Sequence, residues 1–379
     1  MIGFFGVGQI AEKEILAGVK PDIIFDNNPE LNNTLFYNIS VVSPSCIKKY
    51  ALIKLIICSS SIADIQDQLM ELSFDLSMVE ISHYIGPASR TFNLEKFEFE
   101  GFISSGLPST RKSLKGGGVY YVKESLVDGV TINKVFESNT HGMVIDGNDL
   151  IFTSQGDGIV IFDLISQHVR KIITIPPAQR PHGIRKINNT YFVALSVADK
   201  IIQVDENSNI INEYFLSEKI NKIGTPQHHL NDIFVDDNFI YASMFSVSGN
   251  WKKGIFDGGV VQIDRESGEK TTIIQGLTMP HSVEIVDSTL HVLDSFTGTV
   301  LGYHKKIISQ HNGFVRGFFV KNNYYIIGES KNRNISKLER GSLTSSIDSR
   351  ITIIDPELNI SRSIALPRTI SEIHAVVAV

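Results

Sequence analysis

The second half of the chain repeats one unit, which consists of a short strand, a polar turn and a second strand. Strands joined by turns of two or three Asn, Asp, Gly or Ser residues predict β-hairpins. The copies start about 35 to 60 residues apart, close to the length of a four-stranded propeller blade. The repeat therefore predicts a six-bladed β-propeller over residues 101–379. The copies are THGMVIDGNDLIFTS from Thr140, PHGIRKINNTYFVAL from Pro181, HHLNDIFVDDNFIYASM from His228, PHSVEIVDSTLHVLD from Pro280, VRGFFVKNNYYIIGE from Val315 and EIHAVVAV from Glu372.

The sixth copy stops after one strand, and this predicts how the ring of blades closes. A blade needs four strands, so the missing strands have to come from a segment that precedes residue 140. The stretches GGGVYYVKES and VTINKVFES lie at the start of the repeat region and have the composition of strands. Pairing the first segment with the last would leave no open sheet edge.

Residues 1–85 follow a different pattern, in which short apolar runs alternate with helical periods. The runs IGFFG, DIIFD and LIKLIICSS predict strands, and QIAEKEILAGV and ADIQDQLMELSF predict helices. This alternation with short connections is typical of a small parallel α/β domain, which we interpret as Rossmann-like. Residues 86–100, which begin with a Gly-Pro pair, are predicted to be the linker to the propeller.

The first strand leads into GVGQIA, which fits the dinucleotide-binding pattern G-x-G-x-x-A. In that pattern, glycines let a phosphate approach the start of a helix, and an acid after the second strand binds a ribose hydroxyl. The pattern predicts a nucleotide site formed by Gly6, Gly8, Ala11 and Asp26. About 85 residues supply only half of a full dinucleotide fold, which argues against hydride transfer.

Histidine recurs at one position of the hairpin repeat. The first strand of a propeller blade lines the central channel, and its N-terminal end opens on the face that usually binds ligands. With 11 histidines in the chain, four or more at six equivalent positions are not expected by chance. Imidazoles suit borderline divalent metals, so the ring predicts a site for Fe, Zn, Mn or Ni. The predicted ligands are His141, His182, His229, His281 and His374.

The third copy makes the choice of its histidine ambiguous. His228 and His229 are adjacent, and one more residue separates His229 from its turn than in the other copies. Because a one-residue slip exchanges the faces of a strand, either His229 precedes a bulge or His228 and Asn231 share its role. We predict that His229 and Asn231 face the channel. For the whole ring, the alternative is that the histidines only bind water or brace neighbouring blades.

Residues near the ring positions add catalytic candidates, because alternate residues of a strand share a face. Glu372 accompanies His374 and is predicted to be a general base or a further ligand. Arg180 accompanies His182, and Arg316 takes the ring position of its own copy. Both arginines are predicted to be catalytic.

Two long loops between second and third strands are predicted to lie on the same face. SMFSVSGNWKKGIFDGG supplies Trp251 and Lys252, and GESKNRNISKLERGSLTSSIDSR supplies Arg333. Together with Asn231, these are the predicted substrate-binding residues. A basic rim above a metal would suit an anionic substrate that carries phosphate or carboxylate.

The bulk composition excludes several classes of function. The net charge is −6, and no cluster of Lys and Arg among aromatics indicates nucleic-acid binding. Two cysteines are too few for a disulfide framework, and no apolar run reaches the roughly 20 residues that span a bilayer. Because MIGFFGVGQIAEKE has the pattern of a first strand rather than a signal peptide, we predict a cytoplasmic protein without membrane contact.

Segments of both halves resemble known families. FDNNPEL, ISVVSP and IICSSSIADIQDQL resemble small α/β domains of bacterial surface-sugar biosynthesis proteins, including the nucleotide-sugar-binding domains of sugar O-acyltransferases. This resemblance implies a nucleotide-sugar or related ligand. HLNDI, GGVVQIDRESGE, GLTMPHSVEIVDSTLHVLDSFTG, GFVRGFF and IGESKNR resemble a bacterial propeller family of unknown function over roughly residues 225–379. More loosely, the ring is similar to metal-dependent six-bladed propellers such as gluconolactonase-like hydrolases and propeller lyases.

The sequence leaves three functions open. The first is a metal-dependent enzyme that acts on a sugar or nucleotide-sugar as a lyase, epimerase, hydrolase or oxygenase. The second is a propeller that binds a ligand or a protein without catalysis. The third is an NAD-dependent oxidoreductase that uses the N-terminal glycines.

Overall fold

The chain folds into two units, Met1–Phe97 and Glu98–Val379. The structure is a computed structural model that describes residues 1–107, 116–176, 179–332 and 344–379. Within these ranges, no helix is long and apolar enough to cross a membrane.

The first unit is a mixed sheet with helices. Its strands have the order β3-β4-β2-β1-β5-β6, and all neighbours are parallel except β3 and β4. The buried strand residues alternate between two apolar clusters, one on each face of the sheet. The strands are β1 (Ile2–Phe5), β2 (Ile23–Phe25), β3 (Leu35–Phe36), β4 (Ile39–Val42), β5 (Lys54–Ile57) and β6 (Val79–Ile81), and the helices are α1 (Gln9–Leu16), α2 (Ile62–Glu71) and α3 (Pro87–Lys96).

The predicted linker over residues 86–100 is largely a helix. Helix α3 occupies most of it and belongs to the first unit, so the boundary lies at Phe97 rather than at residue 85. Pro87 is the first helical residue, where the missing N–H leaves no hydrogen bond unmade. Phe92 of this helix is buried in the core of the unit. The Gly-Pro pair therefore begins a helix rather than a linker.

The second unit is the six-bladed β-propeller that the repeat predicted. Six four-stranded antiparallel sheets form the blades, and their inner strands contact one another in a closed circle. Each blade runs outwards from an inner strand at the channel. Blade 1 is β10 (Thr140–Asp146), β11 (Asp149–Ser154), β12 (Gly158–Asp163) and β13 (His168–Thr174); blade 2 is β14 (Pro181–Ile187), β15 (Thr190–Leu195), β16 (Lys200–Asp205) and β17 (Ile210–Phe215); blade 3 is β18 (Leu230–Val235), β19 (Phe239–Met244), β20 (Gly258–Asp264) and β21 (Lys270–Leu277).

Blades 4 to 6 complete the circle, and the short helix α4 (Lys219–Ile223) precedes blade 3. Blade 4 is β22 (Pro280–Val286), β23 (Thr289–Asp294), β24 (Thr299–Leu301) and β25 (Ile307–Gln310); blade 5 is β26 (Phe314–Lys321), β27 (Tyr324–Ser330), β28 (Arg350–Asp355) and β29 (Ile360–Ala365); blade 6 is β30 (Ala375–Ala378), β7 (Glu100–Ser105), β8 (Gly118–Ser125) and β9 (Gly129–Phe136).

Blade 6 confirms the predicted closure of the ring. Strand β30 at the C-terminus pairs antiparallel with β7, and β7 pairs with β8. The sequence identified β8 and β9 but missed β7, because most of β7 follows directly on the stretch that we had assigned to the linker. The core lies between neighbouring blades, where Ala194 of blade 2, for example, shares an apolar cluster with Ile233 of blade 3.

Candidate functional site

The N-terminal ends of the inner strands place six side chains around the channel. In blades 1 to 5, the pairing with the second strand shifts near the start of the inner strand. We call the ring position the first residue that the shift skips in blades 1 to 3, and the last paired residue before the shift in blades 4 and 5. In blade 6, the residue directly before β30 is closest to that position, and its N–H bonds to the carbonyl of Ser104. The six residues are His141, His182, Asn231, His281, Arg316 and His374.

Blade 3 corrects the prediction for His229. Strand β18 begins at Leu230, which pairs with Met244 as Pro181 pairs with Leu195, and this makes Asn231 the ring residue. His229 lies two residues earlier and has a positive φ of 54°. The equivalent residues Arg180 and Met279 share that backbone conformation, with φ of 48° and 57°. Aligned on Asn231, blade 3 therefore has the same register as blade 2.

The two adjacent histidines of blade 3 have different surroundings. The ring of His229 lies between Phe245 and Trp251, with centroid distances of 4.3 Å to each. His228 is buried, and its Nδ1 donates to the carbonyl of Ser246 at 2.9 Å. Its Nε2 lies 2.8 Å from the hydroxyl of Ser217. His228 therefore has a structural role.

His141 and His182 face one another across neighbouring blades. Their rings stack with a centroid distance of 4.1 Å, and His141 also contacts His374 at 4.0 Å. The amide Nε2 of Gln155 lies 2.8 Å from Nε2 of His141 and 3.3 Å from Nε2 of His182. Gln155 follows β11 on the loop that opens on this face, and the sequence analysis missed it. The position of that loop was the available signal.

A backbone donor fixes the direction of this hydrogen-bond network. The N–H of Leu107 donates to Oδ1 of Asn139, so Nδ2 of Asn139 donates to Oε1 of Gln155 at 2.6 Å. The NH₂ group of Gln155 must then donate to the two histidines. Nε2 of His141 and of His182 therefore carries a lone pair, and each ring holds its proton on Nδ1.

His281 has the same tautomer for a different reason. Its Nδ1 lies 3.0 Å from the carbonyl of Met279 and 2.8 Å from the hydroxyl of Ser295. A carbonyl oxygen only accepts, so Nδ1 is protonated and Nε2 carries the lone pair. Metal-binding histidines commonly donate their second N–H to a carbonyl in this way.

Burial makes these imidazoles poor bases. It is the largest cause that lowers the pKa of His141, His182 and His281 well below 6.5, and positive charge on neighbouring histidines and Arg316 adds to it. At pH 7 the three rings are neutral. Neutral imidazole is the form that binds metals.

Blades 5 and 6 contribute a charged group to the ring. Arg316 and Glu372 are buried, with exposed fractions of 3% and 5%, and Nη1 of Arg316 lies 3.4 Å from Oε2 of Glu372. Nε2 of His374 is 3.3 Å from each of these atoms. The guanidinium also lies over the ring of Phe314, 4.6 Å from its centroid. The structure thus brings together three of the predicted functional residues.

A cavity of about 20 Å³ lies within this ring, roughly the space that one water molecule needs. Nδ1 of His141 and Oδ1 of Asn231 are buried and have no hydrogen-bond partner among the residues described. Both residues line the cavity. Nowhere among the residues that the structure describes are three His, Cys, Asp or Glu side chains grouped closely enough to hold one metal ion.

The predicted rim is partly in place. Arg180 is exposed, and its carbonyl accepts a hydrogen bond from the N–H of Ser196 at 3.2 Å. Nζ of Lys252 lies 4.4 Å from the ring centroid of Trp251, which in turn contacts His229. Arg333 lies outside the residues that the structure describes.

The predicted nucleotide site of the first unit lies where the strand order of the sheet reverses. Strands β2 and β5 flank β1 on opposite sides, and ligands of open α/β sheets bind at the carboxyl ends of such strands. Gly6 has φ of 105°, and no atom lies within 4 Å of where a side chain on Gly8 would begin. Ala11 is buried in helix α1. The carboxylate of Asp26 accepts the N–H of Val7 at 2.7 Å, so it already braces the glycine loop.

Residues 201–379 match the model of a protein family described as a domain of unknown function, DUF4915. The match runs from the third strand of blade 2 to β30, the inner strand of blade 6. It agrees with the resemblance to a propeller family of unknown function that the sequence showed. The chain matches no curated protein.

The chain is similar to several solved structures at low sequence identity. A chain in the crystal structure of a nidogen/laminin complex is 11% identical, with a TM-score of 0.52 over 74% of this chain and 97% of that chain. Virginiamycin B lyase from Staphylococcus aureus is 14% identical, with a TM-score of 0.43 over 71% and 88%. Regucalcin from Agrobacterium tumefaciens, a calcium-binding protein, is 11% identical, with a TM-score of 0.44 over 60% and 74%. The first likeness shows the propeller fold.

Proposed function

We propose that the propeller is a metal-dependent enzyme that acts on an anionic sugar or nucleotide-sugar at the histidine end of its channel. The observation that carries the proposal is the state of three histidine rings, of which His141 and His281 are buried and His182 is half-buried. All three are neutral at pH 7, and all three hold their proton on Nδ1 and a lone pair on Nε2. A divalent ion held there would polarise a carbonyl, a hydroxyl or a bound water, as in a lyase, epimerase, hydrolase or oxygenase.

The chemistry of the donors fits a borderline divalent metal such as Fe, Zn, Mn or Ni. The imidazole nitrogens would have to move closer together to bind one ion. Imidazole nitrogens bind zinc at about 2.0–2.1 Å, whereas two of these nitrogens now accept hydrogen bonds from Gln155. The side chain of Gln155 would have to leave. The buried, unsatisfied atoms of His141 and Asn231 support a polar ligand here, because such atoms destabilise a fold unless a ligand or water satisfies them.

The charged side of the ring supplies the proposed catalytic groups. The carboxylate of Glu372, held by Arg316, is the proposed general base. Arg180 on the rim would attract an anionic substrate, and Asn231, Trp251 and Lys252 would bind it. Low solvent access to Glu372 and Arg316 would strengthen their interactions with a bound substrate.

Elemental analysis tests the proposal. Protein purified at pH 7.5 without added metal should contain close to one divalent ion per chain, and His182→Ala combined with His281→Ala should abolish it. His304→Ala, which removes an exposed histidine of blade 4, is the matched control and should retain the metal. Metal-free wild-type protein that also fails to take up Zn²⁺ or Fe²⁺ would refute the proposal.

A second candidate is a propeller that binds a small ligand without catalysis. The hydrogen bonds from Gln155 to both histidines favour it, because they form a closed network that needs no metal. Under this alternative, ligand binding survives chelation and no turnover accompanies it.

For the first unit, we propose a nucleotide or nucleotide-sugar ligand at the strand-order reversal. The open space beside Gly8 supports this, since a phosphate can approach the backbone there. Titration of the full chain with UDP-glucose and with NAD tests it. Gly8→Arg should abolish binding while Ala17→Arg, at an exposed residue with ordinary helical backbone at the other end of α1, should not. Turnover of NAD would favour the oxidoreductase alternative.

A further inference from the structure

The propeller channel widens at the end opposite the histidines. The inner strands run from the ring positions to residues such as Asp146 and Asp287, and these far ends line a cavity of about 740 Å³. Cavities that hold small molecules commonly measure about 300–1,000 Å³. Neither the family description nor the proposed reaction assigns a role to this end of the channel.

A partly buried ion pair crosses the channel beside this cavity. The guanidinium of Arg185 in blade 2 donates to the carboxylate of Glu284 in blade 4, and it lies 5.8 Å from the ring centroid of Phe234 in blade 3. The exposed fractions of the two charged side chains are 17% and 25%. Both charges are therefore held away from bulk water.

A second carboxylate interacts with the same guanidinium. Asp232 lines the cavity, and its Oδ1 accepts the N–H of Ile233 at 2.9 Å. Burial raises the pKa of both Asp232 and Glu284, and the positive charge of Arg185 lowers both. The charge of Asp232 raises the pKa of Glu284 further. Two partly buried carboxylates thus share one guanidinium, and the cavity lining holds more acids than cations.

The other cation of the cavity is already committed. Lys186 pairs with Asp146 at the rim, so neither it nor Arg185 is available to an anionic ligand. The lining also includes apolar side chains of other blades, with half-buried Phe319 in blade 5 and Ile145 in blade 1. Aromatic faces and carboxylates together are the groups that bind organic cations.

We propose that this cavity binds a small organic cation, with its ammonium group between Asp232 and Glu284 and its apolar body against Phe319. The volume far exceeds that of a single inorganic ion. Among the residues described, no acidic group of three exists that could coordinate a metal at this end. The site does not require the metal proposed for the histidine ring, although Asp232 also lines the small cavity there.

Calorimetric titration of the full chain with cyclohexylamine at pH 7.5 tests this inference. The amine is cationic at that pH, and cyclohexanol is its neutral match in size. The amine should bind at least about tenfold more tightly than the alcohol, because only the amine compensates the buried charge. Treating the protein with a chelator beforehand should leave the affinity unchanged.

Two variants locate the site. Asp232→Asn should weaken amine binding at least about tenfold. If Asp232→Asn also lowers the melting temperature, Glu284→Gln is used in its place and should weaken binding by the same factor. Asp287→Asn makes the same change of charge at an exposed position of the rim and should bind the amine as the wild type does. Equal affinity for amine and alcohol, displacement of the amine by millimolar K⁺ or Ca²⁺, or unaltered binding in folded Asp232→Asn would overturn the inference.

Discussion

His141 and His182 stack with their ring planes only 13° apart, although they belong to different blades. A proton on either ring would place a positive charge against a buried neighbour. Burial is the main reason that the pKa of both rings is low, and for His141 the neighbouring His182 is the next largest cause. Burial and the neighbouring imidazole thus keep His141 neutral under conditions in which an exposed histidine begins to titrate.

The contribution of the ring histidines to the stability of the propeller should fall as the pH falls from 7 to 5. The unfolded chain binds protons at its histidines near pH 6.5, whereas folded His141, His182 and His281 do not, because their pKa values are lowered. The unfolded state is therefore favoured as the pH drops. Below about pH 6.5, each such histidine lowers the free energy of unfolding by about 1.4 kcal/mol for every unit by which the pH falls. Above about pH 7.5, it has no effect.

Urea denaturation of His281→Asn at several pH values checks this sign. The variant should show a shallower fall than the wild type, by up to one proton. Asp294, whose pKa burial raises to about 6, acts in the opposite direction but is present in both proteins, so the difference isolates the histidine. His304→Asn, at an exposed position with positive φ, is the control and should keep the wild-type slope. A steeper slope in His281→Asn would contradict the account.

Replacing Gln155 by Ala should tighten metal binding. Two imidazole lone pairs lose a competing hydrogen bond of about 0.5–1.5 kcal/mol each, which corresponds to roughly three- to tenfold in affinity for one of them. Competition for Zn²⁺ with a chromogenic chelator measures the change. Gln262→Ala in β20 is the control, because that side chain contacts Tyr241 instead. Unchanged or weaker zinc affinity in Gln155→Ala would count against the proposed role of this glutamine.

His229→Ala should retain bound metal, whereas His281→Ala should lose it. The register of blade 3 puts Asn231 in the ring, and His229 packs between two aromatic rings nearer the rim. The loss of that packing should cost about 1 kcal/mol of stability. Metal content per chain, measured on both variants in parallel, decides the matter. Equal loss in the two variants would restore the original prediction for His229.

The strand that closes the ring should be sensitive to a buried charge. Val377 of β30 is 3% exposed, and Val377→Asp should lower the free energy of unfolding by more than about 3 kcal/mol. Val379, two residues later on the same alternation, is 56% exposed, and Val379→Asp should change it by less than about 0.5 kcal/mol. Chemical denaturation distinguishes the two. Similar effects would mean that β30 does not complete blade 6.

The repeat was visible in the sequence because each inner strand keeps the same local pattern. Proline or threonine, then histidine, then a small residue marks the start of blades 1, 2 and 4, and the truncated last copy predicted the closure by β30. These features depend on residues that are neighbours in the chain. Periodicity reports such features well.

The features that the sequence did not show depend on residues far apart in the chain. Gln155 reaches His182 across a blade boundary, and Arg185 reaches Glu284 across the channel. The position of Asn231 depends on where strand β18 begins, and the pattern around His228 and His229 allows two solutions. Pairings of this kind need the three-dimensional register of the blades.

X-ray absorption spectroscopy at the zinc edge, on protein loaded with one Zn²⁺ per chain, tests the central claim most directly. The account predicts three imidazole nitrogens at about 2.0–2.1 Å, with the outer-shell scattering of histidine rings, and fewer of them in His182→Ala. A first shell made only of oxygen, or a spectrum that His182→Ala leaves unchanged, would show that the histidine ring does not hold the metal.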